Sequence, residues 1–311
     1  MRVHDLRPGI RLSKLGRLYA MLFALPLAAS GGAAADRAAA QPPATGRSVM
    51  DRPVMMDSNG PGSELYVLDE SGVLHELRVS GSGLAEYARI AVPSDFIAAD
   101  ISFLQSKTPA SVLIAGTESN RGLVMRLSLK DGVLETWRFE NVCSGVDSGG
   151  SGNSAYVATS DSNEIYRVDT RNQRLNLVAR IPDASKLGPV AFDEAGQQIY
   201  VADVASGRVY QYSIGMKSSK VFLTHLSAPT ALAFDAETHR LFIADPGQRA
   251  IFAADTRASA PVPVLFASAP LKAPYGMTLL SEGRVAVADH SSNAIFIFSS
   301  KGTLLFRYPD E

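Results

Sequence analysis

A single cysteine, Cys143, stands in a chain of 311 residues. That excludes an internal disulfide, a four-thiolate zinc site, a CxxC redox pair and a CxxCH haem attachment. Charge of one sign is lacking too: 30 Lys and Arg face 31 Asp and Glu, for a net charge of −1, which leaves no basic footprint for nucleic acid. A membrane-length apolar run is also missing near the N-terminus, where Leu18 to Ala29 offers about 12 residues against the roughly 20 that a spanning helix needs. With 46% hydrophobic and 20% charged residues the chain is no disordered polar tract, and its length allows one large domain or two ordinary ones.

What is present first is an export signal. Arg2, Arg7, Arg11, Lys14 and Arg17 precede the apolar run, and Ala33-Ala34-Ala35 follow it, the basic, apolar, small-residue order of a secretory signal peptide spanning residues 1–35. Pro26 and the small-residue cleavage site argue against a retained membrane anchor, and no cysteine at the junction supports a lipid anchor. Removal of this segment leaves 25 basic against 30 acidic side chains, a net charge of −5. The expected product is exported, periplasmic or extracellular, without a stable membrane anchor or nucleic-acid partner. Residues 36–51, with Pro42-Pro43 and several alanines, read as a flexible leader.

From residue 52 onward the chain repeats. Ile199-Tyr200-Val201-Ala202-Asp203, Leu241-Phe242-Ile243-Ala244-Asp245 and Val285-Ala286-Val287-Ala288-Asp289 are apolar strands ending in Asp. The same position recurs upstream at Thr159, Gly116 and Asp69, which makes six units. Within a unit, Ala231-Leu232-Ala233-Phe234 forms a first strand, Leu241 opens a second, Ala250-Ile251-Phe252-Ala253 is a third, and Val262 to Phe266 is a fourth. Turns rich in Gly, Asp and Ser join them and leave no room for a crossover helix, so each unit is an antiparallel meander. Second strands apolar on both faces suit sheets covered on both sides. The predicted fold is all-β, a six-bladed β-propeller of four-stranded antiparallel blades over residues 52–311. A seven-bladed form borrowing the leader and an open array of sheets are the alternatives. Ring closure is left open between blades that share no strand and a clasp from Arg47 to Asp51.

The spans Gly188-Pro189-Val190-Ala191-Phe192-Asp193, Ala228-Pro229-Thr230-Ala231-Leu232-Ala233-Phe234-Asp235 and Ala273-Pro274-Tyr275-Gly276-Met277, each with its Asp-ending second strand, resemble the NHL-repeat propellers. The pattern is good in blades four to six and degenerate in blades one to three. The resemblance implies the propeller fold within a superfamily that includes protein-binding modules, RNA-binding modules and metal-dependent lactonases of the gluconolactonase and paraoxonase kind. It also implies which face bears the channel mouth, and it places Arg52, Asp100, Ser144, Gly188, Thr230 and Tyr275 around that mouth, with Asp203, Asp245, Asp289 and His290 farther out.

Asp203, Asp245 and Asp289 admit two readings, hard oxygen ligands for a cation or carboxylates that accept turn N–H groups. A lactonase of the resembled kind needs acidic and amide side chains converging on the channel axis, and the inferred mouth offers Asp100 as its nearby carboxylate and no Asn. Asp147 lies farther down its strand. His75, His225, His239 and His290 show no flanking nucleophile and acid, and neither a GxSxG elbow nor an HExxH helix occurs. Ser148 to Ser154, although rich in glycine, opens a strand and lacks the Lys-Ser/Thr of a phosphate loop. Cys143 reads as a small buried hydrophobe. Tyr275 combines an aromatic face with a hydroxyl, suited either to a ligand or to packing over the channel. The resulting expectation is a non-enzymatic propeller binding a protein or small-molecule ligand at the mouth through Arg52, Asp100, Ser144, Thr230, Tyr275 and His290, with no cofactor and no metal. The alternative is a divergent metal-dependent lactonase or hydrolase.

Overall fold

The computed structural model describes residues 50–59, 64–80, 83–104, 111–128, 130–149 and 151–309. The signal peptide, and the leader as far as residue 49, lie outside the described residues. Blade 1 contains β1 (Pro53–Ser58), β2 (Glu64–Asp69), β3 (Val73–Ser80) and β4 (Gly83–Ala91), and blade 2 contains β5 (Phe96–Leu104), β6 (Ser111–Glu118), β7 (Arg121–Ser128) and β8 (Gly132–Arg138). Blade 3 is β9 (Cys143–Ser148), β10 (Ser154–Thr159), β11 (Glu164–Asp169) and β12 (Arg174–Arg180), and blade 4 is β13 (Leu187–Asp193), β14 (Gln198–Asp203), β15 (Arg208–Ser213) and β16 (Ser218–Leu223). Blade 5 is β17 (Ala231–Asp235), β18 (Arg240–Asp245), β19 (Ala250–Asp255) and β20 (Val264–Ala267), and blade 6 is β21 (Pro274–Leu279), β22 (Val285–Asp289), β23 (Ala294–Phe298) and β24 (Leu304–Tyr308). Each blade is a separate four-stranded antiparallel meander with its strands in chain order. The expected six-bladed all-β propeller is the observed fold.

The core is divided among the seams between blades. Six clusters of buried apolar side chains occur, and each draws on two neighbouring blades. Leu65, Val67 and Leu77 of blade 1 pack with Ala286, Ala288 and Ile295 of blade 6, so the ring is closed by the same apolar contact that joins every other pair. This explains why the second strands are apolar on both faces: each face covers a different neighbour. The ring needs no strand shared between the ends of the chain, since β1 to β4 and β21 to β24 each complete their own sheet.

Register carries the repeat inward. Tyr66, Leu113, Tyr156, Tyr200, Phe242 and Ala286 occupy one equivalent position on the second strands, opposite Asp57, Ser102, Asp147, Ala191, Ala233 and Thr278 of the innermost strands. Three second-strand tyrosines reach the next blade's innermost strand: Tyr66 on Phe103 at 4.9 Å, Tyr156 on Phe192 at 4.5 Å and Tyr200 on Phe234 at 5.9 Å between ring centroids. Such pairs contribute about 1 kcal/mol each beyond the area they bury.

The Asp that ends the second strands is a staple. Asp203 accepts N–H bonds from Ala205 and Ser206 of its own turn and from Ser185 and Lys186 of the segment entering the blade. Asp245 does the same for Gln248, Ser227 and Ala228, and Asp289 for Ser292, Lys272 and Ala273. These carboxylates are fully buried, and their oxygens serve backbone donors, as the turn reading expects. The degenerate positions have local causes. In blade 2 a Cβ on Gly116 would collide with the Ile97 carbonyl oxygen, so no carboxylate fits there. In blade 3 Asp161, two residues past Thr159, accepts the Val142 N–H at 2.9 Å instead.

Candidate functional site

Antiparallel pairing of Pro53 with Asp69, Cys143 with Thr159, Leu187 with Asp203 and Pro274 with Asp289 brings the starts of the innermost strands and the ends of the second strands to one rim. That rim is the expected channel mouth. Three of the six residues expected to bind there assemble at the seam between blades 6 and 1, around an acid that the sequence reading missed. Glu70, the residue after the Asp69 staple, accepts a 2.9 Å ion pair from Arg52 Nη1 and lies 3.3 Å from His290 Nε2. The His290 ring stands 5.5 Å from that of Tyr275, centroid to centroid. Asn293 completes the group by accepting the Arg52 N–H at 2.7 Å.

Local backbone explains this grouping. Asp289 caps the short 3-10 turn His290–Ser292, and Asn293 ends it in the left-handed region at φ 48°, a conformation Asn tolerates. Arg52 is itself left-handed at φ 52°, which turns it outward just before β1. Tyr275 is half-buried, and burial together with the nearby Glu70 charge holds its phenol above the usual tyrosine range. Its hydroxyl has no hydrogen-bond partner among the described residues, so it is free to meet a ligand.

Thr230 and Ser144 are placed on the same rim but turned to the protein. Thr230 Oγ1 donates to the Pro274 carbonyl at 3.3 Å, linking blade 5 to blade 6. Ser144 Oγ donates to the Ala158 carbonyl at 3.2 Å. Asp100 sits deeper on β5, where Oδ1 accepts its neighbour Ile101 N–H at 2.9 Å and Oδ2 accepts the Val146 N–H of blade 3 at 3.0 Å. Burial pushes its carboxyl up to about 7, against the pull of those two N–H groups.

Asp100 belongs to a belt on the innermost strands. Asp57 Oδ2 accepts the Phe103 N–H at 2.7 Å and Asp147 Oδ2 accepts the Phe192 N–H at 2.6 Å, so blades 1, 2 and 3 each reach forward to the next blade by one carboxylate. Thr278 Oγ1 donates to Asp57 Oδ1 at 2.9 Å, and Ser58 Oγ to the Leu279 carbonyl at 2.7 Å, which carries the belt across the closing seam. Burial is the main influence on Asp57 and Asp147 as well, and it raises both. Their mutual repulsion adds to this effect. Asp147 is legible in the sequence as a residue farther down its strand and Asp57 is not; the signal that unites them is their shared register position opposite Tyr156 and Tyr66.

The metal implied by the gluconolactonase resemblance can be tested against these donors. At the level of Asp100 four of the five other innermost strands present Met55, Gly145, Ala231 and Gly276. At Gly276 even a Cβ would strike the Val54 carbonyl oxygen of blade 1. Among the described residues no group of three His, Cys, Asp or Glu side chains is arranged to hold a metal ion. The donor set at this mouth does not fit a divalent metal.

Comparison with known proteins agrees with the architecture. The profile of the SMP-30/Gluconolactonase/LRE-like region matches residues 117–309. None of the curated proteins compared with the chain matches it. Among solved structures, a Bacteroides thetaiotaomicron protein from structural genomics is similar with a TM-score of 0.62 and 12% identity, over 82% of this chain and 70% of that one. Virginiamycin B lyase from Staphylococcus aureus is similar with a TM-score of 0.58 and 12% identity, over 84% and 85% of the two chains. A catalytically inactive variant of that lyase with quinupristin gives 0.57 and 13%, over 88% of each. At these identities the likeness is one of fold.

Proposed function

Starting from a chain that belongs to the SMP-30/gluconolactonase/LRE-like family, we propose that it is an exported propeller that binds a protein or small-molecule ligand at its channel mouth without hydrolysing it. The observation that carries this reading is the state of Asp100. It is the carboxylate of the mouth level, yet both its oxygens serve backbone N–H groups, and Met55, Gly145, Ala231 and Gly276 around it supply no further oxygen donor. Binding is assigned instead to the Arg52, Tyr275 and His290 group, where an aromatic face, an imidazole edge and a guanidinium meet around Glu70. Such a mixture orients a ligand by a few polar contacts on an aromatic platform. Ser144 and Thr230 shape the rim beside it.

A divergent metal-dependent lactonase is the second reading, favoured by family membership. Purified protein would be analysed for bound metal and assayed on a panel of aldonolactones and aryl esters with added calcium or zinc. The binding reading expects no stoichiometric divalent metal and no turnover above the uncatalysed rate. Turnover that disappears in Asp100→Asn would overturn it.

A further inference from the structure

On the face opposite the mouth, the turns of blades 3 and 4 enclose a cleft of about 710 Å³. The β9–β10, β11–β12 and β13–β14 connections all reach this far rim, because it holds the ends of the innermost strands and the starts of the second strands. Its floor is apolar, built from the paired rings of Tyr156 and Phe192 with Val178 and Ile214 beside them. Arg167 stands on the blade 3 side and Glu194 on the blade 4 side.

Two features set this cleft apart from an incidental crevice. Tyr156 is 5% exposed and lines the cleft, yet its hydroxyl has no hydrogen-bond partner among the described residues. Other tyrosines of blades 3 and 4 are satisfied: Tyr166 donates to Glu164 at 2.7 Å, Tyr210 to the Asp183 carbonyl at 2.8 Å and Tyr212 to the Val178 carbonyl at 3.1 Å. The hydroxyl opens onto the cleft, where a ligand can accept its hydrogen bond. The second feature is Arg167. It lines the cleft with no carboxylate at ion-pair distance among the described residues. Asp169 also lines the cleft, and its carboxyl is held low by the N–H groups of Arg171 and Asn172 and by the charges of Arg167 and Arg171, while Arg171 Nε donates to Asn153 Oδ1 at 2.7 Å. Glu194 accepts the Ser151 N–H at 3.1 Å. Burial raises the Tyr156 phenol, while Arg167 pulls it down and Glu194 pushes it up, so the hydroxyl lies between a cationic and an anionic wall.

We infer that this cleft is a second binding site that takes a small organic monocarboxylate, its carboxylate held by Arg167 and the Tyr156 hydroxyl and its apolar body laid on Phe192, Val178 and Ile214. A guanidinium with no carboxylate at ion-pair distance can take one from a ligand, and a charge-assisted pair with a second donor is the strong form of carboxylate recognition. Glu194 across the cleft repels a second negative charge, so dicarboxylates and phosphate esters are rejected. This site is independent of the reading of the mouth.

The test is ligand-observed saturation-transfer NMR on the purified protein with three probes: phenylacetate, the neutral phenylacetamide and the dianionic phenylmalonate. Phenylacetate should bind in the millimolar range or tighter, with the other two at least about fivefold weaker. Arg167 is exposed, so Arg167→Gln keeps the fold, and it should weaken phenylacetate binding about tenfold or more; Tyr156→Phe should weaken it about threefold. Arg121→Gln, an exposed arginine of blade 2, should leave it unchanged. The inference is overturned if phenylacetate gives no transfer at millimolar concentration, if phenylacetamide binds as tightly, or if Arg167→Gln has no more effect than Arg121→Gln.

Discussion

Asp147 Oδ2 accepts the main-chain N–H of Phe192 across the seam between blades 3 and 4 at 2.6 Å. The bond joins the channel to the far-rim cleft, because Phe192 is also the ring on which Tyr156 rests. Equivalent bonds from Asp57 to Phe103 and from Asp100 to Val146 make the channel wall of blades 1 to 3 a chain of inter-blade carboxylate links. Blade 4 has Ala191 and blade 5 Ala233 at the position of Asp57 and Asp147, so the seams from blade 4 to blade 5 and from blade 5 to blade 6 carry no such carboxylate link.

These carboxylates make stability fall as pH rises. Burial raises Asp100 to about 7 in the folded protein, above the unfolded value near 4. The folded state therefore holds the proton more tightly, and its stability declines as pH rises from about 4 to about 7. Urea denaturation across that range should show Asp100→Asn losing less stability with pH than the parent. The lost acceptor adds a constant offset, so the slope isolates ionisation.

His75 acts in a different window. It is buried between Asp69 at 2.9 Å and Glu86 at 2.6 Å. Burial pulls its pKa down, but the two carboxylates outweigh that and the net shift is upward. Its contribution is complete below the unfolded value of about 6.5 and disappears as pH rises through the folded value. The stability gap between the parent and His75→Gln should narrow as pH rises above 7, and ring-proton NMR should show His75 titrating above a free histidine.

Removal of a staple should be costly. Asp203 is fully buried and accepts from two backbone segments, so Asp203→Ala should destabilise by about 3 kcal/mol, the cost of stranding buried donors. Asp235 is half-buried at the far rim and serves its own turn, and Asp235→Ala should cost about 1 kcal/mol or less. Paired denaturation curves check the contrast.

The mouth should tolerate change without loss of fold. The Arg52–Glu70 ion pair is solvent-exposed, a geometry worth about 0–1 kcal/mol. Arg52→Ala should therefore leave the melting temperature within a few degrees of the parent. Any binding defect it causes would then report on ligand contact rather than unfolding.

A double-mutant cycle on Tyr66 and Phe103, stacked at 4.9 Å, should return a coupling of about 1 kcal/mol. A coupling near zero would mean that the seam aromatics act only through the area they bury.

Blade number, strand order and the position of each second strand were legible in the sequence because a period of about 44 residues repeats one supersecondary unit. The role of Asp203, Asp245 and Asp289 was legible too, since a carboxylate just before a turn has backbone donors nearby. Glu70 was not legible. It follows the repeated second-strand position that Asp69 occupies, but its partners Arg52 and His290 are 18 and 220 residues away. Arg167 and Glu194 likewise come to face one cleft only when blades 3 and 4 pack.

The amino-acid sequence by itself determined the six meanders and the rim on which each turn lies, because strand alternation and turn chemistry are local. Tertiary structure alone decided how Asp100 spends its oxygens, which residues gather around Glu70, and that the Tyr156 hydroxyl opens onto a cleft. Those outcomes depend on seams between blades, where side chains more than 40 residues apart meet, and no local pattern encodes that distance.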